Sequence, residues 1–479
     1  TILPIASGAL FTTQAVYYLG LYNKLYTHSR ETAYATDINT QNPPLSVIIV
    51  AKDAAHELQE NLPFILEQDY PEFEVIVIYD RPADDCDNTL KLLEDKYPNL
   101  YHTFIPDSAR YISHKKLGIT MGIKASRHEW LVFTEPDCRP QSNQWLKQMA
   151  RNFTPATEIV LGYSNYEKVP GWFNKKITFD TLLNSMRYLG MAVSGHPYMG
   201  TGRNMAYRKT LYYKQKGFAS HLNLQRGEDD LFINETARAH NTRVEASPES
   251  LMRIAMPKYK RIWCEEKISY AATSRLFHGT ARYLMGFETC SRFLFYTAII
   301  ATITTSILLH QWTIAGIAVL LWSARFTMQL IVFRKTAKVF GERKFCALLP
   351  LFDFLQPAWN GVFKLQRKFR RKNEFMRKKK ENETNYTFLN LIIRIMIRLN
   401  VFIQVNESNR NAVLETAKEL VAQSLNDKGC IAYDIFESAT RKDVLMICET
   451  WKDAESLDAH EKAAHFITLV PKLQELGKM

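Results

Sequence analysis

Up to residue 134 the chain alternates two kinds of pattern. Short runs apolar at nearly every position, Ser46-Val-Ile-Ile-Val-Ala51 and Glu74-Val-Ile-Val-Ile-Tyr79, together with Tyr101–Ile105 and Trp130–Thr134, read as strands. Between them, 56–68, 84–97 and 115–126 carry apolar residues at helical spacing. Strands that are apolar throughout, rather than at every second position, are covered on both faces. The order βαβαβαβ therefore predicts an α/β fold around a parallel sheet with right-handed crossovers.

A different pattern follows. Phe293–Leu309 and Thr313–Phe333, split by His310-Gln-Trp312, each approach the ~20 residues of a spanning helix and predict a transmembrane hairpin over 290–334. Ile2–Tyr22 is apolar but interrupted by Thr12, Thr13 and Gln14, and reads as an incompletely represented membrane anchor over 1–26 rather than a cleaved signal. Arg334–Lys344 holds five basic residues and one acid, and Lys364–Lys380 ten and one, so both flanks are expected on the cytoplasmic side. The stretch 345–363, with Pro350, Asp353, Pro357 and Asn360, would put one flank on the wrong side if it crossed once, so it is expected to lie in the interface or re-enter. A basic tail and linker over 364–395 separates all this from a strand, helix, strand, strand, helix series over 396–479, a small α+β module.

Charge adds a partner. The net charge of +12 comes mostly from the segment 364–380, which alone contributes nine; beside apolar helices, lipid headgroups are nearer partners for it than nucleic acid, and no nucleic-acid role is expected. Seven cysteines without C-x-x-C spacing suggest neither a zinc site nor a disulfide framework, and point to a reducing setting. His114 and His196 lie near the chemistry-bearing segments but read as structural or surface residues. A dinucleotide-binding dehydrogenase is excluded, because Val50-Ala-Lys-Asp-Ala-Ala-His56 has no glycine where the fingerprint needs several.

Candidate chemistry lies where strands end. Glu135-Pro-Asp137 closes the run Trp130–Thr134, at the edge where open α/β sheets bind ligands, and its hard oxygens suit a divalent cation carrying a diphosphate. Lys115 and Lys116 could meet phosphate oxygens or simply open a solvated helix. In Gln225-Arg-Gly-Glu-Asp-Asp-Leu-Phe232, three acids precede an apolar helix, as general base or as helix cap. Gly200-Thr-Gly-Arg-Asn-Met-Ala-Tyr-Arg208 reads as a loop opening into a strand, with glycines that let the backbone approach a ligand.

Taken together, Val47-Ile-Ile-Val-Ala51 with Glu57, Glu74-Val-Ile-Val-Ile-Tyr-Asp80, Lys115-Lys-Leu-Gly-Ile-Thr-Met-Gly122, Phe133-Thr-Glu-Pro-Asp-Cys138, Gly202-Arg-Asn-Met-Ala-Tyr207 and Gly227-Glu-Asp-Asp230 resemble a family-2 inverting glycosyltransferase of GT-A fold, over 44–285. The resemblance implies a nucleotide-sugar donor and a carbohydrate or lipid-linked acceptor. It implies Asp229 as base and Asp137 as ligand of Mg²⁺ or Mn²⁺. Glu57 and Asp80 would contact base and ribose, Lys115 and Glu135 the diphosphate region, Gly202, Arg203 and Asn204 the sugar, and Glu228 and Asp230 the acceptor side. Tyr79 departs from the pattern, which often has aspartate there. Around Lys260-Arg-Ile-Trp263 the glutamine/arginine-rich motif of processive relatives is not intact, so addition of one or a few sugars is expected. The setting implied is the inner membrane of a cell, with the catalytic domain cytoplasmic.

The C-terminal segment, above all Cys448-Glu-Thr-Trp451 through His460 and Glu461 to His465-Phe466, resembles the antibiotic-biosynthesis monooxygenases, ferredoxin-like α+β units that pair as dimers. That resemblance singles out Asn400, Trp451 and His465, as oxidation site or as core. It also suggests a gene fusion or joined reading frames, Met396 being a candidate start. A degenerate transferase acting as scaffold, with this module as its active part, is the competing reading.

Overall fold

The computed structural model describes residues 2–34, 42–80, 86–106, 113–345, 348–369, 397–438, 441 and 443–477. The chain divides into two units, Thr1–Lys379 and Lys380–Met479.

In the first unit, helices α1 (Ile2–Ala15) and α2 (Asn23–Tyr34) precede the first strand. Strands β1 (Leu45–Ala51), β2 (Phe73–Asp80), β3 (Leu100–Ile105) and β4 (Trp130–Thr134) run parallel, as expected. Parallelism stops there. β6 (Ile159–Gly162) and β9 (Thr242–Glu245) are parallel to each other, but β8 (Met205–Arg208) pairs antiparallel with both β4 and β6. Together these make a seven-stranded sheet in the order β3-β2-β1-β4-β8-β6-β9. Ile48 and Ile76 pack with Ile123 on one face, Val47 and Val75 with Leu62 on the other, which is why these strands lack alternation. Crossovers α3 (Ala55–Leu66), α4 (Cys86–Glu94) and α5 (His114–Ala125) occupy the segments with helical spacing. The side chain of Ser113 caps α5 by accepting a hydrogen bond from the Lys116 amide, so this helix starts immediately after the cap. Beyond β4 come α6 (Trp145–Ala150), the long α7 (Trp172–Val193), and the short α8 (Lys209–Lys214) and α9 (Asp230–Thr236). A small second sheet holds β5 (Cys138–Pro140), β7 (Ser164–Tyr166) and β10 (Met252–Ile254), with β10 in the middle. α10 (Lys260–Thr273) follows it.

Helices α11 (Ala281–Leu308) and α12 (Trp312–Val339) contain the two apolar stretches and are long and apolar enough to cross a membrane. Only 39% and 28% of their most apolar stretches are buried, unlike core helices of a soluble body. The N-terminal apolar stretch forms α1, which packs on both. Its polar interruptions all find partners: Thr12 and Thr13 donate to Gly8 and Ala9 carbonyls one turn back, while buried Gln14 donates to Ser291 and accepts from Arg325. The helix continues through a π segment into α2, where Ser29 donates to the Ala246 carbonyl just past β9. The N-terminal helices and the large sheet are thus one packed body. Leu349–Phe369 is a single helix, α13, whose Asp353 and Gln356 are fully buried. Residues 370–395 of the basic tail and linker lie outside the described residues.

The second unit has a three-stranded antiparallel sheet in which β13 (Val444–Trp451) lies between β11 (Ile397–Gln404) and β12 (Cys430–Glu437). Helices Arg410–Ser424, Ala454–Glu461 and Ala464–Leu476 complete the expected α+β module. Its core gathers Ile403, Val413, Leu420, Ile447, Trp451 and Leu473.

Candidate functional site

β4 ends at Thr134, and the chain that leaves it carries Glu135 and Asp137 past the carboxyl edge of the parallel strands. Gly227 (φ +107°) then turns the backbone so that Glu228, Asp229 and Asp230 follow in close order; a Cβ there would sit 2.5 Å from Leu231. This loop is held from behind by Lys116, which is buried and donates to the carbonyls of His221 (2.6 Å) and Leu224 (2.9 Å). Burial lowers Lys116 to about 8. Lys116 is therefore a strut, and its neighbour Lys115 faces the chemistry.

Asp137 and Asp229 line one cavity of about 170 Å³. Six carboxylates, Glu135, Asp137, Glu228, Asp229, Asp230 and Glu266, line it together with three cations, Lys115, Arg203 and Arg226. Lys115 bridges Glu135 (2.7 Å) and Glu228 (3.0 Å). Arg203 makes a fork with Glu266 (2.6 and 3.0 Å) and reaches Glu135 at 3.3 Å. Burial works to raise Glu135, but Lys115 and Arg203 outweigh it and hold the carboxylate below its ordinary range.

Asp137 is different. Burial pushes it up to about 6, with Arg203 opposing and Glu135 adding. Among the described residues its carboxylate receives one side-chain hydrogen bond, from the Cys138 thiol at 3.4 Å. A half-buried carboxylate with so few donors, beside a second acid, is a donor set that fits a hard divalent cation. Glu228 likewise keeps one buried oxygen, Oε2, without a hydrogen-bond partner.

Asp229 is oriented on both sides. Its Oδ2 accepts from the Gly202 amide (3.1 Å) and the Tyr270 hydroxyl (3.0 Å), and its Oδ1 accepts from the Asp230 amide (2.8 Å). Burial raises its pKa, and so does Glu228. Asp229 also caps α9, its side chain accepting from the Asp230 amide, as the capping alternative for this acidic segment expects. Asp230 turns to the Thr273 hydroxyl.

Three expected residues stand elsewhere. Glu57, half-buried in the first turn of α3, and Asp80, at the end of β2, flank the cavity along the same sheet edge without lining it. The Asp80 carboxylate accepts from His114 Nδ1 at 2.9 Å and lies 3.8 Å from Lys52, so His114 has a partner at this edge. Asn204 does not face the cavity. Its Oδ1 accepts from Trp145 Nε1 (3.0 Å), and its Nδ2 donates to the Tyr163 (2.8 Å) and Ser250 (2.9 Å) carbonyls. Gly162 makes room for it, since a Cβ there would fall 2.5 Å from the amide. The expectation that Asn204 meets the sugar is corrected: its side chain is spent joining the ends of β6 and β10 to α6. Asn204→Ala should lower stability by about 1–3 kcal/mol for each buried group left unpaired, seen as an earlier thermal unfolding midpoint.

Sequence reasoning missed α10. Glu266, Tyr270 and Thr273, at i, i+4 and i+7, put an arginine partner, a donor to Asp229 and a donor to Asp230 on one helical face. That spacing was visible, but only a fold says what the face meets. Tyr79, at the position that departs from the family pattern, donates its hydroxyl to Asp87 (2.6 Å) across the β2–α4 connection.

In the second unit, Trp451 stacks on His460 (4.4 Å, 30°), and His460 lies 5.4 Å from His465. Asn400 pairs with Cys448, which points away from the face bearing Trp451, so Asn400 is exposed on the other side of the sheet and does not join them.

Comparison with known proteins gives two family matches. The model of glycosyl transferase family 21 covers residues 12–381, and that of antibiotic biosynthesis monooxygenase covers 396–472. YcnE of Bacillus subtilis (strain 168), a provisionally named monooxygenase, is 35% identical over 81 residues, 17% of this chain and 85% of YcnE. A Bacteroides thetaiotaomicron protein of unknown function, suggested to be an oxidoreductase, is 62% identical, with 18% of this chain and 92% of that one covered and a TM-score of 0.18. The mannosyltransferase PcManGT of Pyrobaculum calidifontis, solved with GDP-Man and Mn²⁺, is 16% identical over 77% of this chain and 99% of its own, with a TM-score of 0.49.

Proposed function

We propose, because this chain belongs to glycosyl transferase family 21 over residues 12–381 and to the antibiotic biosynthesis monooxygenase family over 396–472, that its first unit transfers one sugar from a nucleoside-diphosphate donor with inversion, Asp229 being the base. The observation that carries this reading is that Asp137 and Asp229, 92 positions apart in the chain, line one cavity at the carboxyl edge of the sheet.

The base and ribose would lie along the edge marked by Glu57 and Asp80, and the diphosphate near Lys115 and Arg203. Six carboxylates against three cations make the cavity net acidic before any donor arrives. A diphosphate would be repelled there unless a cation accompanied it. Mg²⁺ or Mn²⁺, held by Asp137 with help from Glu135, would supply charge neutralisation of the leaving diphosphate. Transfer forms a bond between the acceptor oxygen and the anomeric carbon and breaks the bond from that carbon to the diphosphate. The acceptor's hydroxyl proton passes to Asp229. Its raised pKa makes it a better proton acceptor than an exposed aspartate, and Gly202, Tyr270 and Asp230 hold its two oxygens in place. Glu228 and Asp230 border the acceptor side, and a carbohydrate or lipid-linked alcohol fits that role.

A screen of nucleotide-sugars by thermal unfolding tests the reading. A true donor at about 100 times its Kd stabilises the folded state by about 2.7 kcal/mol, and the upshift should need Mn²⁺ or Mg²⁺. If every nucleotide-sugar leaves the midpoint unmoved with either ion present, the proposal fails.

A further inference from the structure

We propose that Asp427, His460 and His465 of the second unit form a binding site for one divalent transition-metal ion. Each residue offers one ligand atom, and these atoms lie within 4.8 Å of one another. His460 Nδ1 lies 2.6 Å from Asp427 Oδ2, and His465 Nε2 lies 3.0 Å from the same oxygen. Two imidazoles thus converge on a single carboxylate oxygen. His465 Nε2, although buried, makes no hydrogen bond of acceptable geometry, and neither does Nε2 of the fully buried His460. A buried ring nitrogen without a partner is uncommon, and that of His465, which faces Asp427, points to a ligand, whereas that of His460 is turned toward Glu449.

The surroundings strengthen the case. Strand β13 puts Leu445, Ile447, Glu449 and Trp451 on its helix-covered face, so Glu449 is a carboxylate at a core position, only 4% exposed. Trp451 Nε1 donates to Glu449 Oε2 (2.9 Å), and that same oxygen stands 3.9 Å from His460 Nε2. An acid on the outer side of a metal-binding imidazole favours the tautomer that turns the other nitrogen to the ion, and Glu449 stands on that side of His460. Trp451 on one side and Phe466, edge-on at 4.9 Å, on the other hold the His460 ring rigid. Asp427 is about a quarter exposed, which leaves a route in and an open coordination position.

Two imidazole nitrogens and one carboxylate oxygen select zinc, iron(II), cobalt or nickel over magnesium or calcium. This separates the site from the all-oxygen acids around Asp137. The site does not depend on the sugar-transfer reading, since it uses other residues in the other unit.

Titrating the full chain in detergent with Co²⁺ tests the proposal. A visible d–d absorption should grow in with one ion per chain, be displaced by Zn²⁺ but not by Mg²⁺, and persist in Asp137→Asn. His465→Gln and Asp427→Asn should each weaken Zn²⁺ binding by on the order of 10–100-fold, while thermal unfolding without metal shows that both variants remain folded. Absence of the absorption in the wild-type chain overturns the site, as does an absorption lost in Asp137→Asn. An absorption that survives in the double variant His465→Gln/Asp427→Asn overturns it too.

Discussion

Asp229→Asn should lower the rate of sugar transfer by on the order of 10³-fold while leaving donor binding within a few-fold of the wild type. Asparagine keeps the shape and still accepts from Gly202 and Tyr270 through one oxygen, but it cannot take the proton of the attacking hydroxyl. The split between the two measurements matters, because a merely structural Asp229 would lose donor affinity and transfer together. Donor affinity is read from the thermal shift, and transfer from release of the nucleoside diphosphate. A variant that transfers sugar at the wild-type rate removes Asp229 from the chemistry. A pH dependence accompanies this. The base works deprotonated, and burial with Glu228 raises its pKa, so activity should fall on acidification at a higher pH than the ordinary aspartate value of about 3.9 would give. The acid limb should vanish from the residual activity of Asp229→Asn.

Asp353→Asn should destabilise the first unit by about 3–5 kcal/mol, the usual cost of leaving buried charges without their partner. Asp353 is fully buried between Arg292 of α11 (3.0 Å) and Arg325 of α12 (2.8 Å), and also accepts from Tyr296 (2.7 Å). Arg292 also donates to Gln356 (2.6 Å), whose amide donates to Asp180 (3.1 Å), which pairs with Lys267 of α10. This chain of polar contacts ties the apolar helices to the helix that holds Tyr270 against Asp229. Removing this acid leaves Arg325 facing only neutral partners and Arg292 with Glu288 at 3.6 Å, where water cannot reach them. The expected result is a much lower unfolding midpoint in detergent and poor recovery of folded protein. Asp353→Asn combined with Arg325→Gln should recover part of the loss, because the second change removes a charge left unpaired by the first. An unchanged midpoint in Asp353→Asn would mean that the network is solvated and contributes little.

Much of the site was readable where a residue's role follows from its place along a strand. Glu135 and Asp137 could be placed at the carboxyl edge because the run before them is apolar at every position, and such a run is a buried strand that ends where polarity begins. The three acids in front of an apolar helix marked the segment, but only the family resemblance singled out Asp229 among them. Asn204 was misjudged, since an asparagine in a glycine-rich loop looks the same in the sequence whether its amide meets a sugar or three groups of the protein. Glu266 and Tyr270 were passed over because nothing local says which face of α10 turns toward a cavity. The antiparallel β8 was not foreseen either: a four-residue strand carries no mark of its direction.

The sequence by itself determined the α/β alternation, the two long apolar helices, the separate α+β module and the acidic segments that line the cavity. These follow from periodicity and from where apolar runs stop, which are properties of neighbouring residues. Tertiary structure alone decided that Asp137 and Asp229 share a cavity, that Arg203 is gripped by Glu266, that Asp353 sits between two arginines, and that His460 and His465 turn to one carboxylate. Each of these joins side chains from different elements. Such contacts are fixed by how helices and strands pack, to which no single stretch of chain has access.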